Sequence, residues 1–150
     1  MKNKAQGGAA AVEFALVFPI FLVLVFAIIE FGAVFYNKTF ITNASREAAR
    51  AGVVLKTPKL TTDEVVGIAR KYCGQSQDAS TKEWSIVPLN LLGFDSSNAL
   101  DVSATGAGDT FGTPLTVTVS YKYNWLVLGP LIGFVAGPIT LSATTVMNNE

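Results

Sequence analysis

The stretch GGAAAVEFALVFPIFLVLVFAIIEFGAVFY, residues 7–36, decides the fold, because its only charged residues are Glu13 and Glu30. The sixteen residues between these two acids are almost wholly apolar, and as an α-helix they would cover roughly 24 Å. The apolar residues on either side lengthen the run enough to cross the roughly 30 Å of a bilayer's hydrocarbon core. The remaining chain is too short to enclose such a helix in a soluble core. The sequence therefore predicts a transmembrane helix over residues 9–36.

Composition and charge exclude several classes of protein. Half of the 150 residues are hydrophobic and only 15% are charged, against about 25% charged residues in a typical soluble domain. The formal net charge of zero gives no indication of nucleic-acid binding. The chain has no histidine and one cysteine, Cys73, which excludes histidine-dependent catalysis, nearly all zinc sites and an intrachain disulfide. We therefore predict no enzymatic activity, no cofactor and no metal, with Cys73 as a small packing group rather than a reactive thiol.

The residues before the apolar run have the features of a short leader. Residues 1–8 carry Lys2 and Lys4, and a basic segment before a span favours a cytoplasmic N-terminus. The apolar run is longer than the core of a secretory signal, and bulky residues follow it where a small-residue cleavage motif would stand. We therefore expect any cleavage to precede the span, and we expect residues 37–150 to lie outside the cytoplasm.

The spacing of Gly8, Ala9 and Glu13 resembles the prepilin peptidase site of type IV pilin-like proteins. Cleavage after Gly8 would free the α-amine of Ala9, which with an ordinary pKa of about 7.7–8.0 would be largely cationic. Glu13 lies four residues later, on the same helix face. An acid within the membrane is costly unless it is paired, so Glu13 would pair with this amine in its own or a neighbouring chain. The alternative is that Glu13 lies in water at the interface.

The same part of the chain resembles the opening signature of TadE-like proteins. The resemblance rests on GAAAVEFALVFP at residues 8–19, EFG at residues 30–32 and TNASREAARAG at residues 42–52. The closing ITLSATTVM, residues 139–147, resembles the family's terminal strand, whereas residues 56–114 match only in general organisation.

The resemblance assigns roles to individual residues. It implies that Gly8 is the last leader residue, Ala9 the new terminus and Glu13 the assembly glutamate. Phe14 stands where the major pilins of the tight-adherence (Flp-type) pilus, the system of the TadE-like family, have tyrosine. The resemblance places Phe14 in the assembly segment with Glu13.

For the whole protein, the resemblance implies a pseudopilin, or minor pilin, of the bacterial tight-adherence (Flp-type) pilus. Such a subunit is processed by a prepilin peptidase and held in the inner membrane as a single-pass protein. Its implied partners are the major pilin, other pseudopilins, the inner-membrane assembly platform and the lipid bilayer. Whether the subunit enters the fibre stays open. The residues also allow a second function, an uncleaved membrane anchor whose outer domain binds a ligand or an envelope protein.

The first half of the outer domain is predicted to be helical. No helix breaker precedes Gly52, so the long helix should continue past the membrane. Ala44, Ala48 and Gly52 recur every four residues and form a small-residue stripe, which would let the domain's own sheet or another subunit approach closely. Thr61 and Glu64 have the spacing of a capping box and predict a second, short helix.

The second half is predicted to form a small antiparallel sheet. Apolar and polar residues alternate over residues 115–123 and 139–144, a pattern typical of half-buried strands. Shorter strands are predicted at residues 84–87 and 100–104. The predicted fold class is therefore α+β, with a long transmembrane helix, a short helix and a small sheet, as in pilins.

One connection is unusually apolar. The segment from Trp125 to Val135, which includes Leu128 and Phe134, is interrupted by glycine and proline and is too short to span a bilayer. Exposed apolar segments are often interaction sites, so Trp125, Leu128 and Phe134 form a candidate interaction loop. Packing on the sheet, contact with the membrane interface and contact with a partner all stay open.

Overall fold

A computed structural model describes residues 4–55, 57–73, 100–126, 128–129 and 137–150. The predicted strand at residues 84–87 and the candidate loop residue Phe134 lie outside these ranges. In chain order, the described elements are α1 at Lys4–Val53, α2 at Thr62–Tyr72, β1 at Asp101–Thr105, β2 at Pro114–Tyr123 and β3 at Ile139–Asn148. They confirm the α+β class with a long N-terminal helix that is apolar enough to cross a membrane.

Helix α1 is 50 residues long and continues through Pro19 without interruption. By length and composition it could span a membrane, and none of its most apolar 18-residue window is buried. Its C-terminal half, from Glu30, buries one face at spacings of three and four residues, as expected for a helix packed along one side. This face consists of Glu30, Ala33, Asn37, Phe40, Ile41, Ala44, Ser45, Ala48, Ala49, Gly52 and Val53.

Helix α2 begins where the capping box predicts. The Thr61 hydroxyl accepts a hydrogen bond from the Glu64 backbone N–H, and the Glu64 carboxylate accepts one from the Thr61 backbone N–H. These contacts satisfy amide groups that the first helical turn leaves without partners. Val65 and Ala69 form the buried side of the helix, and α2 packs against α1 and β1.

The three strands form an antiparallel sheet in the order β1–β2–β3. On β2 the buried residues alternate with half-buried or exposed ones, as the period of two predicts. Cross-strand pairs set the register, with Val119 between Val102 on β1 and Ala143 on β3. The inner face of the sheet packs on α1 through β2 and β3.

Contacts at both ends fix the sheet along α1. Tyr123 at the end of β2 contacts Glu30, and the backbone N–H of Glu150, just after β3, donates to the Val53 carbonyl over 3.1 Å. Strand β2 therefore runs against the direction of α1, and β3 runs with it. The folded domain begins at the level of Glu30.

The small-residue stripe packs inside this chain. Ala44, Ala48 and Gly52 are buried, and a Cβ atom at Gly52 would lie 2.6 Å from Leu115 Cδ2 and 2.9 Å from Val65 Cγ2. Only a residue without a side chain lets α1, α2 and β2 meet this closely. Of the two packing arrangements that the stripe allowed, contact with the chain's own sheet is therefore confirmed.

This close approach predicts opposite effects for two glycine-to-alanine substitutions. In Gly52→Ala the new methyl group must displace Leu115 and Val65, and such overpacking costs about 1–3 kcal/mol. Gly67 lies in α2 and has no atom within 4 Å of a built Cβ, so Gly67→Ala should gain up to about 1 kcal/mol from helix propensity. Denaturant unfolding of the full-length variants in detergent micelles measures both changes. Equal stability of the two variants would contradict the tight packing at Gly52.

Candidate functional site

The residues assigned to processing and assembly lie on the exposed part of α1. Gly8, Ala9, Glu13 and Phe14 are all exposed, and the Phe14 ring stacks on Phe18 with centroids 5.0 Å apart. The structure thus leaves these four residues accessible to an enzyme, to lipid or to another helix. Their roles stay predictions.

The second acid of α1 is in a different environment. Glu30 is only 1% exposed, and its carboxylate accepts hydrogen bonds from the end of β2 and from described residues of the segment that follows it. The Tyr123 hydroxyl donates to Oε1 over 2.6 Å and the Leu126 backbone N–H donates to the same oxygen over 2.8 Å. The Leu128 backbone N–H donates to Oε2 over 3.1 Å. We call these four residues the Glu30 clamp.

The clamp satisfies a buried acid with hydrogen bonds. A buried carboxylate is costly unless its oxygens are hydrogen-bonded or paired, and bonds to a charged acceptor are stronger than bonds between neutral groups. Burial and the neighbouring Glu30 carboxylate raise the pKa of the Tyr123 hydroxyl well above its usual value. Tyr123 therefore remains a neutral donor at physiological pH and holds the end of β2 against α1.

The clamp also positions the start of the candidate interaction loop. Trp125 is half-buried, its indole N–H donates to the Gly137 carbonyl over 2.9 Å, and its ring meets Tyr123 edge-on. Leu128 is half-buried, whereas Leu126 is 44% exposed although its backbone is held by Glu30. The described residues at the start of the loop are thus fixed at the base of the domain, with the Leu126 side chain pointing outward.

Sequence reasoning missed the role of Glu30. The sequence alone identifies Glu30 as one end of the apolar run and as the first residue of the EFG match, and predicts no partner for its carboxylate. The position of Glu30 around the helix gives one indication of burial, because Glu30 lies close to the helical face that carries Ala44 and Ala48. Its donors come from residues 93 to 98 positions later in the chain, which no local pattern can identify.

Two more polar side chains lie on the buried face of α1. Ser45 is fully buried and shares a hydrogen bond of 2.8 Å with the Thr145 hydroxyl of β3. Asn37 is also fully buried, yet its side-chain amide has no hydrogen-bond partner within the residues that the structure describes. Glu30, Asn37 and Ser45 form a polar seam, spaced two turns apart, between α1 and the sheet.

The charged residues higher on α1 form an ordinary solvated pair. Arg50 and Glu47 are 2.7 Å apart, and both are accessible to solvent. The hydrogen bond from Arg50 lowers the pKa of the Glu47 carboxyl. Exposed pairs of this kind contribute little to stability because solvent and salt screen them. Among the described residues, no group of three or more acidic or cysteine side chains could hold a metal ion.

Cys73 follows α2 and is 1% exposed. Burial raises the pKa of its thiol to about 12. Because the thiolate is the reactive form of cysteine, the predicted packing role agrees with this environment.

Comparison with known proteins connects the chain to one family. Residues 8–50 match the family described as TadE-like protein, which confirms the resemblance predicted from the sequence over this segment. The match supports a minor-pilin-like role associated with the tight-adherence pilus, and the family is one of structural pilus components rather than enzymes. No curated protein and no solved structure matches the chain.

The clamp predicts that removal of a single oxygen atom destabilises the domain. Tyr123→Phe keeps the ring but loses the donor to Glu30, and loss of a hydrogen bond to a charged group costs about 1.5–3 kcal/mol. Tyr72→Phe is the matched control, because Tyr72 is 39% exposed and its substitution should change stability by less than about 0.5 kcal/mol. Denaturant unfolding in detergent micelles measures both. Equal losses in the two variants would contradict the clamp.

The buried thiol predicts very slow alkylation. With a pKa of about 12, Cys73 would carry roughly a thousandfold less thiolate at pH 8 than an ordinary cysteine. Maleimide labelling of the folded protein in micelles should therefore be far slower than labelling after unfolding in denaturant. Rapid labelling of the folded protein would show that Cys73 is accessible.

Proposed function

We propose, from the TadE-like segment at residues 8–50, that the chain is a pseudopilin or minor pilin of the tight-adherence (Flp-type) pilus. It is processed by a prepilin peptidase and stored in the bacterial inner membrane. The observation that carries the proposal is this TadE-like match, and the division of α1 into an exposed apolar half and a half packed on the outer domain is consistent with it. A subunit of a membrane-assembled fibre needs both surfaces on one helix.

The length of α1 fits this arrangement. Residues 9–29 precede the folded domain and would extend about 31 Å as a helix, which is close to the roughly 30 Å of the hydrocarbon core. Residues 30–36 add about 10 Å, so that residues 9–36 reach through the core and to the outer edge of the outer headgroup layer. We therefore propose a leader at residues 1–8, a membrane segment at residues 9–36 and an extracytoplasmic domain at residues 37–150.

Processing supplies a positively charged partner for the Glu13 carboxylate. Cleavage between Gly8 and Ala9 creates a cationic amine one helical turn before Glu13. In the assembled state this amine and the Glu13 carboxylate, from the same or from neighbouring chains, pair within a low-dielectric environment and set the axial register. Phe14, next to Glu13 and exposed, contributes apolar surface to the same contact.

The domain moves with the helix because the two form one unit. Helix α1 continues from the membrane segment into the packed half, and the Glu30 clamp fixes the base of the sheet to it. When the assembly platform extracts the subunit, lipid contacts of residues 9–29 are replaced by contacts with the helices of the major pilin and other pseudopilins. The outer domain follows without a separate hinge.

The alternative function is an uncleaved membrane anchor whose outer domain binds a ligand or envelope protein. The two functions require the same fold and differ in the N-terminus of the mature protein. A start at Ala9 supports the pilin route, and a start at Met1 supports the anchor.

Substitution at the cleavage site tests the proposal directly. Co-expression with a prepilin peptidase should shorten the protein by residues 1–8, as measured by intact mass and N-terminal sequencing. Gly8→Val places a branched side chain beside the scissile bond and should leave the leader in place. No atom lies within 4 Å of a built Cβ at Gly8, so retention of the leader would not reflect a disturbed fold.

Gly32→Val is the matched control, because Gly32 also lies on α1 with no atom within 4 Å of a built Cβ. This variant should be processed like the unmodified protein. Retention of residues 1–8 in the unmodified protein, with an active peptidase present, would overturn the pilin route and favour the anchor.

A further inference from the structure

We propose that the base of the folded domain docks into the outer headgroup layer of the lipid bilayer. The docking surface, which we call the basal collar, consists of Phe31, Phe35 and Tyr36 on α1 together with Trp125 and Leu126. The docking requires α1 to span the membrane and therefore rests on the proposed function. The Glu30 clamp holds the two parts of the collar at one level.

The exposed surface of α1 changes character at one point. Phe31, Phe35 and Tyr36 are 57%, 68% and 41% exposed. From Lys38 onward the exposed residues of α1 are polar or charged: Lys38, Thr39, Asn43, Arg46 and Arg50. The apolar, lipid-compatible surface of the helix therefore ends at Tyr36.

The folded domain begins before that point. Glu30 and Ala33 are already buried against the rest of the chain, while the opposite side of the same two turns exposes Phe31 and Phe35. Residues 30–36 span about 10 Å along the helix axis. Over this distance one side of α1 faces the domain and the other presents aromatic rings outward. If the domain lay wholly in water, these rings would lie in water too.

Bilayer dimensions identify the occupant of this surface. With residues 9–29 filling the hydrocarbon core, residues 30–34 fall in the headgroup layer, which is roughly 5–7 Å thick on each side, and Phe35 and Tyr36 lie at its outer edge. Aromatic residues with a polar end concentrate in this layer, and Tyr36 and Trp125 belong to that type. A lipid headgroup layer thus accounts for both the position and the composition of the collar.

The clamp pairs backbone N–H groups of the loop that would lose water at the membrane interface. Backbone N–H groups that leave water must find partners inside the protein, and Glu30 accepts from the N–H groups of Leu126 and Leu128. The Trp125 indole N–H is satisfied by the Gly137 carbonyl. The outward-facing Leu126 side chain can therefore enter the interface while the backbone N–H of Leu126 stays paired with Glu30.

Site-directed spin labelling of the full-length protein tests the docking. Cys73→Ala removes the native thiol, and Leu126→Cys, Phe21→Cys and Phe111→Cys are labelled one at a time with a nitroxide. The proteins are placed at low density in vesicles of phosphatidylcholine with phosphatidylglycerol. Accessibility to oxygen and to a water-soluble nickel chelate then gives the depth of each label. If Cys73→Ala fails to fold, the native cysteine is kept, because its burial protects it from labelling.

The two other positions are matched references. Phe21 lies in the middle of the proposed span and is 57% exposed, and Phe111 lies in the β1–β2 hairpin, far along the sheet from Glu30, and is 84% exposed. We expect the Phe21 label to be reached by oxygen and not by nickel, and the Phe111 label to be reached by nickel as in solution. The Leu126 label should report a depth near the lipid phosphates, with nickel accessibility at least about threefold below that of Phe111.

The outcomes separate the docking from the proposed function. A deep Phe21 label with a fully aqueous Leu126 label would overturn the docking. The membrane-spanning helix that the proposed function requires would be unaffected. A Leu126 label that neither reagent reaches would indicate a protein contact and would also overturn the docking. A Phe21 label accessible to nickel would show that α1 does not span the bilayer, which contradicts the proposed function itself.

Discussion

The carboxylate of Glu30 needs partners wherever it lies, and in this fold the end of the sheet provides them. Tyr123, Leu126 and Leu128 can donate to Glu30 only when β2 is paired, when its inner face points at α1 and when the following loop turns back toward the helix. The contact therefore depends on the complete domain. In return, the buried acid fixes where along α1 the domain begins. That position determines which part of α1 is exposed, where the basal collar lies and which part of the helix packs on the sheet.

Helix α1 is continuous, but its two halves have different surfaces, one suited to lipid and one to packing on the sheet. Apart from Glu13, residues 9–29 carry apolar side chains on all sides, as a span surrounded by lipid requires. The half from Glu30 onward buries one face that is rich in small residues, and from Lys38 its exposed residues are polar or charged. Small side chains such as Ala44 and Ala48 let the sheet approach the helix closely, and Gly52 does the same where α1, α2 and β2 converge. The domain is consequently built along the helix rather than attached to its end.

Much of this architecture could be predicted from local sequence patterns. The long helix follows from an apolar run, α2 from the capping box at Thr61 and Glu64, and β2 from strict alternation between Leu115 and Tyr123. Each of these signals lies within a few residues of the element it specifies. The burial of Glu30 could not be predicted in the same way, because its partners lie about ninety residues away. The small-residue stripe was ambiguous for the same reason, since spacing alone does not identify the surface that packs on it.

The polar seam of Glu30, Asn37 and Ser45 has a mechanical consequence. Apolar side chains tolerate sliding past one another, whereas hydrogen-bonded pairs such as Glu30–Tyr123 and Ser45–Thr145 have one alignment. A slip of α1 by one turn would move these groups about 5.4 Å apart and leave several buried polar atoms unsatisfied at once. Force applied along the helix axis therefore loads the seam in shear, and the sheet resists as a whole. Under an increasing load the domain should therefore unfold by separation of its strands rather than by sliding along α1.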